Sequence, residues 1–414
     1  MSRETPFLSR RLLYFLWGAK LTRYGQMLVV FGLLAGSFLS VSLETLSFDL
    51  FAVLFALGAL TLLANALWRV RLQVELRLPD KAAAGTTVRG IALIRNVGRL
   101  PAYDAGASFF RLPTGLRAVP DEVYAEAIAP GECAEIPVAF EVKRRGGYLL
   151  PPLRAFSAFP WRLLRSNFAQ ATARPFLGLP AFMPADDLRV PVGLRYQPGG
   201  VALAANVGES PDYIGNREYR PGDSIRRVDM RAWGRVGEPV VREYHEEYYL
   251  RVALVLDTFA PGPFWRRRRR RESLEAGISL TATLTDGMAR GECLLDIFAA
   301  GPRLYNFRAG RGAFPFEHVL DILACLDACP RHPFAQLAPA LADELDRISS
   351  VLFVLLDWDE ARRALVRTAV ERGCRCRVFV VSDHTPTLPP TADDGMEMAV
   401  LTPAQIREGR LDSL

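Results

Sequence analysis

The chain has 414 residues, of which 50% are hydrophobic and 23% are charged, and its formal net charge is +6. This length is enough for two or three domains with separate cores and argues against a single small fold. A positive charge can favour nucleic acid or an anionic membrane as partner, but here only Lys20, Lys81 and Lys143 are lysines. The remaining cations are arginines, as biased coding composition would produce, and we expect no nucleic-acid partner.

Two long apolar runs near the N-terminus predict a transmembrane helical hairpin. The first run, 27–43, carries no charge, and at about 1.5 Å per residue it would span roughly 26 Å, close to the hydrocarbon thickness of a bilayer. The second run, 50–68, follows a short acidic link, "ETLSFD". Buried core helices and a cleaved signal peptide are the alternatives. A signal peptide fits less well, because the first run starts late and no cleavage-site pattern precedes the second.

The charges around the two runs predict their orientation. The link contains only Glu44 and Asp49 as charged residues, whereas both outer flanks are basic. Positively charged flanks stay in the cytoplasm, so we predict a two-pass protein whose soluble domains are cytoplasmic. Residues 1–25 mix basic and aromatic residues and are expected to be cytoplasmic or interfacial. The basic flanking residues are Arg3, Arg10, Arg11, Lys20, Arg23, Arg69, Arg71 and Arg77.

The residue pattern after the hairpin changes twice. From 70 to about 175, alternating runs such as "TVRGIALIRN" predict an antiparallel β-sandwich of Ig-like type. Beyond 250, continuous apolar runs such as "SVLFVLLD" lie near segments of helical spacing, and this predicts an α/β domain with a mostly parallel sheet. The predicted domains are therefore the hairpin at 26–69, the sandwich at 70–185, a linking segment at 186–249 and the α/β domain at 250–414. Helical spacing occurs at 272–290, 316–328 and 359–372.

Two of the apolar runs end in an aspartate, Asp257 and Asp357. Ligands of open α/β sheets bind at the carboxyl ends of strands, and two carboxylates there would suit Mg²⁺. The simpler alternative is that each aspartate caps the turn or helix that follows it. A metal-dependent hydrolase or transferase that uses both residues is the enzymatic hypothesis. The sequence contains no Walker A, G-x-S-x-G or H-E-x-x-H motif, and we expect no cofactor other than this magnesium.

Residues 215–244 bring many arginines and carboxylates together around Pro221. Guanidinium groups bind anions in a bidentate manner, so one hypothesis is a cradle for a phosphate or an acidic partner. In the alternative, Arg220 and Arg226 pair with Asp223 and Asp229 and hold the segment on the neighbouring domain. The near balance of charges favours internal pairing. The arginines are Arg217, Arg220, Arg226, Arg227, Arg231, Arg235 and Arg242, and the carboxylates are Glu218, Asp223, Asp229, Glu238 and Glu243.

A block of six consecutive arginines precedes a helix that we expect to begin near Glu272. Such a block repels itself, which predicts a solvated loop. Its position ahead of a helix opposes the macrodipole, so an anionic surface such as lipid headgroups is the alternative. A lipid-surface sensor is therefore a third hypothesis. The block consists of Arg266, Arg267, Arg268, Arg269, Arg270 and Arg271.

The order of these parts resembles the bacterial membrane proteins grouped as domain of unknown function 58. Two stretches carry the resemblance: "KRRGGYLLPPLRAFSAFPWRLLRS" at 143–166, and "GNREYRPGDSIRRVDMRAWGR" at 215–235, which is similar to the family signature. The signature residues that match are Asp223, Arg226, Asp229 and Arg235. Met230 stands where a tryptophan is usual, and Trp233 follows three residues later.

The resemblance implies a bacterial inner-membrane protein with a von Willebrand factor A-like α/β domain. In such domains a D-x-S-x-S motif binds a metal ion, and Asp257 falls at its first position. Phe259 and Pro261 replace the two serines here, so two hydroxyl ligands are lost. The resemblance further implies a partner, an AAA+ ATPase of the MoxR type. Our main hypothesis is accordingly a membrane-anchored, non-enzymatic adaptor that binds another protein.

Overall fold

The computed structural model describes residues 16–39, 45–119, 123–184, 213–221, 223, 225–244, 250–259, 267–289, 293–300, 304–309, 316–329, 333–389 and 396–410. The chain divides into two compact units, with the main division between Ala181 and Phe182. The first unit contains the apolar helices and the antiparallel sheets. The second unit contains the signature segment and a mostly parallel sheet.

Two apolar helices follow a π-helical turn at Leu16–Lys20 and form an antiparallel pair. They are α1 (Arg23–Leu39) and α2 (Thr45–Leu67). A Cβ atom on Gly36 would lie 3.3 Å from the ring of Phe51, and one on Gly58 would lie 3.7 Å from the side chain of Leu28. Glycines at these two crossings let the helix backbones approach closely.

The helix bounds differ from the two apolar runs. Helix α2 already includes 45–49, most of the predicted link, because nothing in that stretch breaks a helix. By length and composition, α2 can cross a membrane over Phe48–Leu67, and it is the one such helix among the described residues. Helix α1 ends at Leu39, and the rest of the first predicted span, 40–43, lies outside the described residues. Of the two membrane-spanning helices predicted for the hairpin, the structure therefore supports one, α2.

The antiparallel part of the first unit is a sandwich of short strands. Period-2 alternation produces it: in β7, Ile136, Val138, Phe140 and Val142 are buried and alternate with more exposed residues. The strands are β1 (Leu72–Arg77), β2 (Lys81–Ala83), β3 (Thr87–Asn96), β4 (Ala102–Ser108), β5 (Leu116–Ala118), β6 (Tyr124–Ile128), β7 (Cys133–Val142), β8 (Gly146–Leu150), β9 (Arg154–Ser157), β10 (Ser166–Gln170) and β11 (Arg174–Leu179).

Among the described residues these strands form the sheets β1-β3-β7-β5, β10-β9-β4-β6 and β2-β11-β8. The main core lies between the first two sheets, where Ile94 and Ile136 pack with Ala105 and Leu153. All strand pairs are antiparallel except β2 with β11. The predicted antiparallel sandwich is confirmed.

The first described strands of the second unit form a two-stranded ladder, and a short helix lies between them in sequence. Strand β12 (Tyr213–Glu218) pairs antiparallel with β13 (Val240–Tyr244), and helix α3 (Met230–Val236) lies between them in sequence. A 3-10 turn at Ile225–Arg227 precedes α3. Buried Val240 and Val241 anchor the ladder.

The main sheet of the second unit has the strand order β16-β15-β14-β17-β18-β19 in the described residues. Neighbouring strands are parallel except β16, which runs antiparallel to β15 at one edge. Every residue of β17 is buried, which explains its continuous apolar sequence. The strands are β14 (Leu250–Leu256), β15 (Cys293–Ala300), β16 (Leu304–Ala309), β17 (Ser350–Leu355), β18 (Arg375–Val381) and β19 (Glu397–Leu401). The predicted mostly parallel sheet is confirmed.

Helices accompany this sheet. They are α4 (Arg267–Ala289), α6 (Phe334–Leu345), α7 (Glu360–Glu371) and α8 (Pro403–Glu408). Helix α5 (Phe316–Cys325) is divided between the two units, since Leu320–Leu326 belong to the first. The predicted start of α4 near Glu272 is wrong, since the helix begins at Arg267. Five arginines of the block therefore belong to the helix, where a solvated loop was predicted. Arg266 lies outside the described residues, and Arg271 is exposed.

Candidate functional site

Strands β14 and β17 are neighbours at the centre of the main sheet, and the strand order reverses between them. In open α/β sheets, ligands bind beyond the carboxyl ends of strands at such a reversal. Asp257 directly follows β14, and Asp357 follows β17 after one residue. The two aspartates predicted from the sequence therefore lie at the edge of the sheet where a ligand is expected.

The carboxylate of Asp257 is fully buried and already has four donors. Its Oδ1 accepts a hydrogen bond from the backbone N–H of Phe259 at 2.7 Å. Its Oδ2 accepts one from the backbone N–H of Leu356 at 3.1 Å. Arg362 supplies the other two, from Nε at 2.8 Å and from Nη2 at 2.6 Å. A protein cation thus occupies the position beside Asp257.

Arg362 is held in place from several sides. It lies in the first turn of α7, whose N-cap Asp359 accepts the backbone N–H of Arg362 at 3.0 Å. The carboxylate of Asp359 also pairs with Nη1 of Arg362, and Nη2 donates to the carbonyl of Phe259 at 3.3 Å. The guanidinium carbon lies 5.7 Å from the ring centroid of Phe259 and 5.1 Å from that of Phe334. Carboxylates and aromatic rings together compensate for burial of the charge.

The protonation states follow from these contacts. Burial raises the pKa of Asp257, and the charge of Arg362 opposes that shift. Burial also acts to lower the pKa of Arg362, but the carboxylates of Asp257 and Asp359 outweigh it and raise the pKa. Arg362 therefore stays cationic. Asp257 stays ionised as its partner at neutral pH, because a neutral acid would leave the guanidinium without its main counterion in the core.

Asp357 has a separate set of partners. Its Oδ1 accepts from the backbone N–H groups of Trp358 at 2.8 Å and Thr387 at 3.0 Å. Its Oδ2 accepts from the hydroxyl of Thr387 at 2.7 Å. Partial burial would raise the pKa of Asp357, but the hydrogen bonds from Thr387 hold it below its ordinary value. Asp357 therefore fastens the loop after β18 to the end of β17, a capping role.

These residues do not fit a magnesium ion. Mg²⁺ needs carboxylate oxygens that face an open coordination sphere, whereas both oxygens of Asp257 point at N–H donors and the guanidinium fills the adjacent space. The described part of the chain contains no group of three or more histidine, cysteine, aspartate or glutamate side chains able to hold a metal. The magnesium hypothesis thus has no geometric support at Asp257 and Asp357.

Arg362 was not among the residues predicted from the sequence, although a local signal for it is present. The buried residues of α7 are Arg362, Leu365, Val366 and Ala369, which repeat at helical spacing. An arginine at the first position of such an apolar face must have a buried partner. The partner itself is 105 residues distant in the chain, and no local pattern identifies it.

The signature segment is tied together by two ion pairs. Arg217 on β12 binds Asp223 in bidentate fashion, with both N···O distances at 2.7 Å. Asp223 also accepts the backbone N–H of Arg220 at 2.8 Å. These bonds lower the pKa of Asp223 to about 2. The turn between β12 and α3 is therefore closed by Arg217, not by the side chain of Arg220 as the sequence predicted.

The second ion pair connects helix α3 to strand β13. Asp229 is the N-cap of α3 and accepts the backbone N–H groups of Arg231 at 3.0 Å and Ala232 at 3.1 Å. Its other oxygen accepts from Nε of Arg242 at 3.0 Å. The hydrogen bond from Arg242 is the main reason that the pKa of Asp229 is lowered to about 2. The predicted partner, Arg226, is instead exposed.

Comparison with protein families supports the resemblance for part of the chain. The profile of the family described as "Protein of unknown function DUF58" matches residues 215–386. Residues 215–386 thus resemble a DUF58 domain. The match begins in β12 and ends after β18, so it contains the signature segment and the Asp257–Arg362 pair. The function of DUF58 is unknown by its own description, and comparison with curated protein sequences gives no significant match.

Solved structures with some similarity include three domains or fragments. A CARDB domain from Pyrococcus furiosus is 12% identical, with a TM-score of 0.19, covering 27% of this chain and 95% of that one. An alpha-2-macroglobulin fragment from Escherichia coli is 21% identical, with a TM-score of 0.21, covering 28% and 17%. A PKD domain of an M14-like peptidase from a Thermoplasmatales archaeon is 12% identical, with a TM-score of 0.16, covering 26% and 92%.

Proposed function

We propose that this protein is a membrane-anchored, non-enzymatic adaptor whose cytoplasmic domains bind another protein. In this proposal α1 and α2 cross the bacterial inner membrane as a hairpin, and the sandwich and the DUF58 domain act on the cytoplasmic side. The parallel sheet with its antiparallel edge strand is taken as a von Willebrand factor A-like domain. The partner that we propose is an AAA+ ATPase of the MoxR type.

The buried Asp257–Arg362 pair carries the non-enzymatic part of the proposal. It occupies the sheet edge at which an open α/β fold would hold a substrate or metal. All the polar atoms of Arg362 are directed at protein acceptors. The pair stabilises the domain from inside, which leaves binding through the outer surface as the function favoured by the geometry.

Exposed apolar side chains support the membrane anchor. Soluble proteins rarely expose large contiguous apolar patches, yet large side chains of α2 are half or more exposed from Phe48 to Leu67. Basic residues at both outer flanks favour a cytoplasmic location for the soluble domains. The exposed residues of α2 are Phe48, Leu50, Val53, Phe55, Leu60, Leu62, Leu63 and Leu67.

The identity of the partner rests on the family resemblance alone. The test is a pull-down of the tagged full-length chain from membranes solubilised in mild detergent, with quantitative mass spectrometry of co-purified proteins. We expect enrichment of an AAA+ ATPase. The Arg367→Met variant, which alters an exposed arginine of α7, should give the same enrichment. Repeated recovery without any AAA+ ATPase would rule out this partner.

A magnesium titration of the detergent-solubilised full-length chain tests the enzymatic hypothesis directly. We expect no change in melting temperature at millimolar Mg²⁺, since Asp257 is engaged by Arg362. A rise in melting temperature that disappears in Asp257→Asn would contradict the adaptor proposal and restore the metal site.

A further inference from the structure

Helix α3 presents apolar side chains to solvent. Within α3, Met230, Trp233 and Val236 are 63%, 40% and 66% exposed, and Ile225 in the turn before it is 75% exposed. The three helical residues follow one another at intervals of three, which places them on one side of the helix. Nothing in α3 is buried. Burial in the core therefore does not account for this apolar stripe.

Hydrogen bonds at both ends of α3 hold this apolar stripe in place. Asp229 caps the start of α3, and Gly237 ends the helix with a φ of 83°, its N–H donating to the carbonyl of Trp233 at 2.9 Å. The backbone N–H of Asp229 bonds to the carbonyl of Val240 at 2.9 Å and so joins the helix to the ladder. A surface held in this way loses little entropy when a partner binds.

Uncompensated positive charge lies beside the stripe. Arg217 and Arg242 neutralise Asp223 and Asp229, and four further arginine side chains of the segment face solvent. They form no ion pair among the described residues. Glu218 and Glu238 are the exposed carboxylates nearby in sequence, so an excess of positive charge remains. The exposed arginines are Arg220, Arg226, Arg231 and Arg235.

We propose that this surface, called the α3 face, binds an acidic segment of a partner protein that carries apolar side chains along one side. The α3 face consists of Ile225, Met230, Trp233 and Val236 with Arg220, Arg226, Arg231 and Arg235. Tryptophan, methionine and arginine are enriched where proteins bind each other. This inference rests on the proposed adaptor function and assigns the surface that performs it.

A protein segment fits this surface better than a lipid bilayer. The exposed Glu218 and Glu238 would be repelled by anionic headgroups, whereas a folded partner can place its carboxylates opposite individual arginines. Bidentate arginine–carboxylate pairs at the rim add specificity, and the apolar stripe supplies the buried centre. An anionic membrane is therefore the competing outcome in the test.

The test is site-specific photocrosslinking in native membranes. A photoreactive phenylalanine analogue replaces Val236 in the full-length chain, and crosslinked peptides are identified by mass spectrometry. We expect one protein product whose crosslinked peptide has a net negative charge. The crosslink yield should fall about tenfold in an Arg231→Glu, Arg235→Glu double variant, because two attractive contacts become repulsive.

A matched control changes charge elsewhere by the same amount. Arg89 and Arg117 are exposed on the sandwich, and the Arg89→Glu, Arg117→Glu double variant should retain the crosslink yield. Crosslinks to lipid alone, crosslinks to a basic or neutral peptide, or a yield unaffected by Arg231→Glu, Arg235→Glu would each overturn the assignment.

The pull-down distinguishes an error in the assignment of the α3 face from an error in the adaptor proposal. If the tagged chain recovers the ATPase while crosslinks from Val236 fall on lipid, the α3 face is wrong and the adaptor function stands. If the pull-down repeatedly recovers no protein partner and the crosslinks fall on lipid, both proposals fail.

Discussion

The side chain of Arg362 determines the chemistry of the site at Asp257, because the two form a buried ion pair. The side chain of Arg362 is only 3% exposed and the side chain of Asp257 is fully buried. Two charges in such surroundings are stable only as a pair with further hydrogen bonds, and each of them has these. Losing one partner would leave the other charge uncompensated inside the domain.

Replacing Arg362 with methionine should therefore destabilise the second unit. We expect a loss of roughly 3–5 kcal/mol in the free energy of unfolding, as for other buried pairs broken on one side. Denaturant unfolding followed by tryptophan fluorescence measures it. Arg367→Met, on the exposed side of the same helix, should cost less than about 0.5 kcal/mol. Equal stability of the two variants would show that the pair contributes nothing.

Asp223 and Asp229 predict a pH dependence in the signature segment. Both have a pKa lowered to about 2 from the ordinary 3.8. A lowered pKa in the folded state stabilises the fold above the ordinary value, and this contribution is lost as the pH falls towards 2. We expect carboxyl-carbon NMR titrations of labelled aspartate to show both midpoints near 2.

Variants of Arg217 and Arg226 test which arginine lowers the pKa of Asp223. Arg217→Gln should raise the pKa of Asp223 towards 3.8 and leave Asp229 near 2, because Arg217 pairs with Asp223 and Arg242 pairs with Asp229. Arg226→Gln should leave both midpoints unchanged. A shift of Asp223 in the Arg226 variant would instead support the pairing first expected from the sequence.

At the level of helices and strands, glycine decides how α1 and α2 pack. The Cβ atom of any other residue at Gly36 would lie 3.3 Å from Phe51, whereas at Gly32 it would meet nothing within 4 Å. The two glycines are four residues apart on the same helix. They provide a matched pair of positions, one inside the crossing and one outside it.

Gly36→Leu should separate the two helices, and Gly32→Leu should not. Proximity can be measured through the rate of disulfide formation between cysteines placed at 28 and 58, whose native residues lie side by side. We expect a marked fall in that rate in Gly36→Leu alone. A similar fall in both variants would mean that helix length or insertion, and not the crossing, is responsible.

The molecule as a whole combines an apolar helical pair with domains rich in exposed arginine. The proposed two-pass anchor would place the soluble domains on one side of a membrane. Cys133 and Cys325 are exposed native thiols outside α1 and α2, whereas Ser47 belongs to the predicted extracytoplasmic link. Labelling of cysteines at positions 47, 133 and 325 therefore reports on which side of the membrane each position lies.

We expect a membrane-impermeant maleimide to label Ser47→Cys in intact cells. Cys133 and Cys325 should react only after permeabilisation, since they would lie in the cytoplasm. Labelling at position 47 that also requires permeabilisation would contradict the two-pass arrangement and leave α2 without its predicted orientation.

Local patterns in the amino-acid sequence were sufficient to predict the antiparallel and the parallel parts of the fold. Period-2 alternation identified the sandwich, continuous apolar runs identified the parallel strands, and the aspartates after β14 and β17 were correctly placed at one edge of the sheet. These features depend on residues close together in the chain, where burial and geometry repeat at short intervals. The start of α4 was misplaced, because a run of arginines does not by itself prevent a helix.

The partners of the charged residues depended on the folded chain. Asp257 meets Arg362 across 105 residues, and Arg242 reaches Asp229 only because β13 lies beside α3. The side chain that pairs with Asp223 is that of Arg217 on β12, whereas Arg220 donates to Asp223 through its backbone N–H. Which cation reaches a given carboxylate is set by strand order and helix placement, and these arise from packing between distant segments. Spacing along the chain therefore located the carboxylates, and three-dimensional packing selected their partners.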